Sequence, residues 1–143
     1  MPSAETEVRV SEPAQLIWDV VEEISRDRVK RYAQASGDRN TIHIDPNAAH
    51  EAGLADPVAH GILILALILR HADEWTRRNG ARITGCDTRF IRPVYVGDVA
   101  TLLHLTGRCA APGQLTATAT VLDPDGAAES TVMRPIRIRY EAV

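Results

Sequence analysis

Aromatic side chains are scarce in this chain of 143 residues: one Phe, two Trp and three Tyr, 4% of the total. Surfaces that hold unpaired bases stack them on aromatic rings, so this thin supply counts against that class of binding. Cysteine is scarcer still. Cys86 and Cys109 are too few and too far apart for a disulfide framework or a zinc knuckle. An excess of positive charge is also missing: Lys and Arg number 16 against 19 Asp and Glu, a formal net charge of -3. With both signs interspersed, no nucleic-acid partner is expected. The longest apolar run, Ile62 to Leu69, falls far short of the roughly 18 residues a membrane-spanning helix needs, so no membrane partner is expected either. Met1 to Thr6 lacks the basic-then-apolar pattern of a secretory signal, which makes cytoplasmic residence the simplest expectation. GxSxG elbows, phosphate-binding glycine loops, HExxH and paired-Cys motifs are all absent from the sequence.

What remains is the composition of a packed globule, 45% apolar and 24% charged, expected to form one domain over residues 1–143. Residues 1–13 read as an extended, Pro-containing lead-in. Ala14 to Val21 is a short strand or packing segment of ambiguous period. Ser25 is a helix N-cap, and Val29, Tyr32 and Ala33 recur at helical spacing up to a left-handed stop at Gly37. Asp45-Pro46 starts a second helix of about two turns, with Asp45 as the cap. A long helix is expected over 58–78, apolar almost all the way round from Ala59 to Leu69 and therefore buried on most faces. Four strands follow: Ala81 to Tyr95, Val99 to Cys109, Leu115 to Leu122 and Ser130 to Tyr140, paired antiparallel through short turns at Gly97-Asp98, Ala111-Pro112-Gly113 and Asp123 to Gly126. Pro135 removes a ladder donor and implies an edge, bulge or break in the last strand. Helices first and strands after give an α+β domain, with one sheet wrapped round the long helix.

The chemistry concentrates in Ser36-Gly37-Asp38-Arg39-Asn40-Thr41-Ile42-His43. If this irregular loop curls, the carboxyl of Asp38 and the imidazole of His43 converge on one small substrate. Together they can give and take the protons of a 1,2-elimination or addition of water. Burial would raise the Asp38 carboxyl pKa. Asp38 as a simple turn-former is the competing reading of the loop alone. Asn40 supports the loop. His60 is a packed, hydrogen-bonded histidine, and Gly61 opens a buried helix whose free N–H groups suit a developing enolate oxygen. Asp38, His43, Asp45, His50 and His60 are all metal-ligand types, but their spacing matches no metal motif and none is called for.

Three stretches carry a resemblance. Tyr32 to His43, then Ala59-His60-Gly61, then Phe90-Ile91-Arg92-Pro93-Val94-Tyr95-Val96-Gly97-Asp98 together resemble the MaoC-like family of (R)-specific enoyl-CoA hydratases and hydroxyacyl-thioester dehydratases. The likeness implies a hotdog fold, a homodimer, and reversible hydration or dehydration at C2–C3 of a 2-enoyl or 3-hydroxyacyl thioester. It also implies Asp38 and His43 as the catalytic pair and a thioester carbonyl held by the Gly61 N–H, with Asn40 and His60 in support. No cofactor is expected beyond the CoA or acyl carrier protein that bears the substrate. Arg70, Arg77, Arg78, Arg82, Arg89 and Arg92 are candidates to contact that carrier. The chain departs from the family pattern at Thr41, where Pro commonly follows the Asn, and in the Ile- and Leu-rich start of the long helix. An isomerase, cyclase or thioesterase on a polyketide-like intermediate, or a non-catalytic hotdog partner subunit, are the alternatives the same fold allows.

Overall fold

The computed structural model describes residues 15–125 and 129–143. The expected lead-in over 1–13 and Gly126 of the last turn lie outside the described residues. In chain order the elements are strand β1 (Gln15–Ile24), helix α1 (Arg26–Ser36), a 3-10 turn (Thr41–His43), helix α2 (Pro46–Glu51), helix α3 (Gly61–Arg78) and strands β2 (Ala81–Phe90), β3 (Thr101–Ala111), β4 (Gln114–Leu122) and β5 (Glu129–Ala142). The strands form one antiparallel sheet ordered β1-β3-β4-β5-β2, and α3 packs against it in a hotdog-like α+β fold.

Local chemistry accounts for the element ends. The Ser25 hydroxyl accepts the Arg28 N–H at 3.1 Å to cap α1, and Gly37 ends that helix at φ 79, where a side chain would be strained. The Asp45 carboxylate accepts the Asn47 N–H at 2.9 Å ahead of Pro46, so α2 begins as the sequence implies. β1 runs three residues past the expected segment, with Ile24 fully buried.

Three expectations are corrected. Helix α3 starts at Gly61 and not at Val58, because Val58 bridges to Tyr95 and the Ala59 N–H donates to the Val94 carbonyl at 2.9 Å. Burial covers one face of α3 rather than most: Leu63, Ile64, Leu67, Ile68, Ala72 and Thr76 are buried, while Ile62 is 58% exposed. The strand predicted over Ala81 to Tyr95 ends at Phe90, and its partner is β5, not the following strand, so Gly97-Asp98 does not close a hairpin. Pro135 sits in β5, a central strand, where the register slips against both β4 and β2. Of the three readings of that proline, the bulge holds.

The core fills the space between α3 and the sheet with Leu103 and Leu105 of β3, Leu115 and Ala119 of β4, and Val132, Met133, Ile136 and Ile138 of β5. Glu22 of β1 ties the helices to the sheet: its carboxylate accepts from Arg28 of α1 at 3.1 Å and from Arg70 and His71 of α3 at 2.7 and 3.0 Å. Burial pushes this carboxyl up, but the hydrogen bonds from His71 and Arg28 and the charge of Arg70 outweigh it and leave its pKa below the ordinary value. A carboxylate with a depressed folded pKa stabilises fully above its unfolded value near 4.5, and that contribution is lost as pH falls through the lower folded value. Glu22→Gln should therefore lower stability by about 1–3 kcal/mol at neutral pH, because a neutral amide replaces the carboxylate that accepts from Arg28, Arg70 and His71. Urea titrations across pH should show this difference shrinking below pH 4.5. No helix among the described residues is long and apolar enough to cross a membrane.

Candidate active site

Loop 37–43 leaves α1 through Gly37 and folds back on itself by two side-chain turns. The Asp38 N–H donates to the Ser36 hydroxyl at 3.1 Å, and the Asn40 side-chain oxygen accepts the Ile42 N–H at 3.2 Å to open the 3-10 turn. Asn40 is thus a loop former. The turn brings His43 toward the start of α3, where its Nδ1 lies 2.6 Å from the Val58 carbonyl. A carbonyl only accepts, so Nδ1 carries the proton and the neutral ring keeps its lone pair on Nε2. That nitrogen lies 3.9 Å from Asp38 Oδ2. The loop therefore does bring Asp38 and His43 together.

His60 joins the same cluster. Its Nε2–H donates to the Asp38 carbonyl at 2.9 Å, its ring stacks on His43 with centroids 3.7 Å apart, and it meets the Tyr32 ring in a T-shaped contact with centroids 4.8 Å apart. It is 3% exposed and also occupies the N-cap position of α3. Its other nitrogen, Nδ1, is buried with no partner among the described residues. One side chain thus touches the Asp38 backbone, the His43 ring and the helix that begins at Gly61.

Asp38, His43 and His60 each offer a ligand atom within 4.8 Å of the others. The two rings lie only 24° from parallel, so their lone pairs run side by side rather than converging on one ion. The arrangement suits proton transfer better than shared ligation. His50 is elsewhere, bound to the Ala55 carbonyl at 2.8 Å, and Asp45 is occupied as a cap.

Exposure departs from expectation. The His43 side chain is 11% exposed but that of Asp38 is 58%, so the burial expected around the Asp38 carboxyl is missing in the single chain. Beside the pair, a cavity of about 500 Å³ opens at the first turn of α3. Val58, Gly61, Ile62, Phe90, Arg92 and Met133 contribute to its wall. Asp38 and His43 do not line it, but Val58 belongs to both places through the carbonyl that holds His43. Phe90 is 51% exposed and stands over Gly61. Val58 and Tyr32 were not legible as site residues: one acts through its carbonyl, and the other reads as helix packing.

Thr41 is the first residue of the 3-10 turn, and Asn40 before it has φ -56 and ψ 127, the extended geometry that a following proline requires. Thr41→Pro should therefore fit and raise stability by about 0.4–1 kcal/mol by restricting the unfolded chain. Thermal unfolding checks this, and a drop in midpoint would show that the loop depends on the threonine.

A long helix packed by one face against an antiparallel sheet defines a hotdog-like fold, and a carboxylate and an imidazole lie 3.9 Å apart near that helix's start. The chain belongs to the MaoC-like hydratase–dehydratase family, for residues 4–121 match the family described as "MaoC like domain". It is 30% identical over 126 residues to 3-hydroxyacyl-thioester dehydratase Z of Mycobacterium tuberculosis, a match covering 83% of each chain. It is 33% identical over 85 residues to the mitochondrial 3-hydroxyacyl-[acyl-carrier-protein] dehydratase of Arabidopsis thaliana, covering 57% of this chain and 50% of that protein. The chain thus spans only about half the length of that plant relative. Among solved structures it resembles the (R)-hydratase from A. caviae involved in PHA biosynthesis, with TM-score 0.70, 19% identity, and 94% and 99% of the two chains covered. At that identity the likeness is one of fold.

Proposed function

We propose that this chain is a reversible hydro-lyase acting at C2–C3 of a 2-enoyl or 3-hydroxyacyl thioester, with His43 and Asp38 as its catalytic residues. The observation that carries the reading is the His43 Nε2 lone pair, fixed by the Nδ1–Val58 bond and set 3.9 Å from Asp38 Oδ2 beside the start of α3. The thioester dehydratase named among its relatives supports the same chemistry.

In dehydration, His43 Nε2 takes the C2 proton while the Asp38 carboxyl gives its proton to the 3-hydroxyl. The C3–O bond breaks and water leaves. Charge that develops on the thioester oxygen is met by the Gly61 N–H at the positive end of α3. The proton then passes from His43 to Asp38 across their short gap, which restores both groups; hydration runs these steps backwards. The Asp38 side chain is 58% exposed in the single chain, and bound substrate or a second copy of the chain covers it during the reaction. β1 and β2 each leave one strand edge unpaired in the sheet, so a homodimer is part of the proposal. Light scattering should give twice the chain mass. Cytoplasmic residence and a single functional domain are part of the same proposal.

Crotonyl-CoA incubated with the purified chain should gain the mass of one water. An unchanged mass with a moved double bond would mark an isomerase, release of free CoA would mark a thioesterase, and no turnover without another subunit would mark a non-catalytic partner.

A further inference from the structure

Four of the six arginines considered for the carrier are already paired: Arg70 with Glu22, Arg77 with Asp73, Arg78 with Glu74 and Arg82 with Glu141. Arg89 and Arg92 have no ion-pair partner among the described residues. Arg92 stands on the wall of the cavity at Gly61. Arg89 lines a second hollow of about 630 Å³, together with Arg134 and Arg137, which are likewise unpaired among the described residues. The one carboxylate in that hollow, Asp87, is held by Arg139 and cannot neutralise them.

The β5 bulge at Arg134 and Pro135 shapes this hollow, because β5 resumes its pairing with β2 only at Ile136. Arg137 faces Asp87 across the two strands, and Arg89 follows two residues on, so strand alternation sets both arginines on one face. Ile91 is a wall common to both cavities. An apolar space that begins at the thioester-binding glycine therefore adjoins a concave site with three uncompensated guanidinium groups. Planar guanidinium forks match phosphate oxygens in pairs, and a hollow admits a small polyanion where a folded acidic protein meets a flat or convex patch.

We infer that Arg89, Arg134 and Arg137 form a binding site for the phosphorylated nucleotide of coenzyme A, which makes the substrate an acyl-CoA. This rests on the acyl-thioester reading for its catalytic consequence, but not for binding of the nucleotide itself. The two are therefore measured separately.

The first arm is calorimetric titration of the intact chain with adenosine 3′,5′-bisphosphate, a probe that contains no thioester. Binding should weaken about tenfold for each arginine changed to Gln, in line with loss of a charge-assisted hydrogen-bonded pair, and should fall with added salt. No binding to the wild-type chain, or equal binding to Arg89→Gln and Arg137→Gln, would overturn the site. The second arm compares kcat/KM for crotonyl-CoA with that for crotonyl-pantetheine, which lacks the nucleotide. Their ratio should drop at least about tenfold in Arg89→Gln/Arg137→Gln. A wild-type ratio near one, or a ratio in the double variant equal to the wild-type ratio, would overturn the assignment to CoA. If the bisphosphate binds and neither thioester turns over, the nucleotide site stands and the hydro-lyase reading fails.

Discussion

Asp38→Asn should lower kcat/KM for enoyl-thioester hydration by about 10²–10⁴-fold, the usual worth of a positioned acid–base group, while leaving the thermal midpoint almost unchanged. The second half of that statement follows from the structure. The carboxyl is largely exposed, and its side-chain contacts are a long 3.4 Å bond from the Asn40 N–H and the 3.9 Å approach to His43. What anchors the loop is the Asp38 backbone carbonyl, held by His60, and the substitution leaves it in place. His43→Ala should cost as much activity but also stability, about 1–3 kcal/mol, because it strips the Val58 carbonyl of its donor and His60 of its stacking partner. The contrast between the two variants is informative in itself. A site built for structure would instead show Asp38→Asn silent in the assay, with His43→Ala losing activity only as far as it loses fold. Steady-state kinetics paired with thermal melts on both proteins make the comparison.

The second large effect is expected at Gly61. A Cβ there would sit 2.8, 3.0 and 3.1 Å from three atoms of the Phe90 ring, so the ring must swing or the helix start must shift. Phe90 is half exposed and can move outward, and alanine suits a helix better than glycine by roughly 0.5–1 kcal/mol. Gly61→Ala should therefore fold. Activity is another matter, because the methyl group occupies the approach to the backbone N–H that would hold the thioester oxygen. Loss of one such donor lowers kcat by about 10²–10³-fold. Gly61→Ala/Phe90→Leu separates the causes. If relief of the ring contact restores turnover, Gly61 matters for packing against Phe90; if turnover stays low, its N–H is the functional group.

How much of this was legible depends on how local the signal was. Ser25, Gly37 and Asp45 specify helix caps through their own side chains or φ angles, and the polar loop between Gly37 and His43 could be read as a site. Strand faces were legible as well, since the buried Leu103 and Leu105 alternate with half-buried or exposed neighbours. Strand neighbours were not. Alternation says which face is buried and nothing about the partner, so β2 was set beside β3 when it lies at the far edge against β5. The stretch after Phe90 was misread for a related reason. Val94 and Val96 are buried and alternate like a strand, but they pair with the chain just ahead of α3: Ala59 donates to Val94, and Val96 donates to Pro57 at 2.8 Å. The same two bonds hold Val58 and Ala59 out of the helix, and their burial accounts for their apolar side chains. Within the site, Asp38 and His43 stand out by side-chain type, while the Val58 carbonyl that fixes the His43 tautomer leaves no trace in the sequence. Nor could sequence reveal the exposure of Asp38, which depends on what closes over the loop.

The central claim is that His43 exchanges a proton with C2 of a thioester while water adds at C3. Hydration of crotonyl-CoA in deuterium oxide by wild-type and His43→Ala chains tests it most directly, read by mass spectrometry and proton NMR of the 3-hydroxyacyl product. The wild-type chain should place one deuterium at C2 on the same face as the new hydroxyl, and His43→Ala should form almost no product. A product without C2 deuterium, or a His43→Ala chain that hydrates at the wild-type rate, would contradict the account.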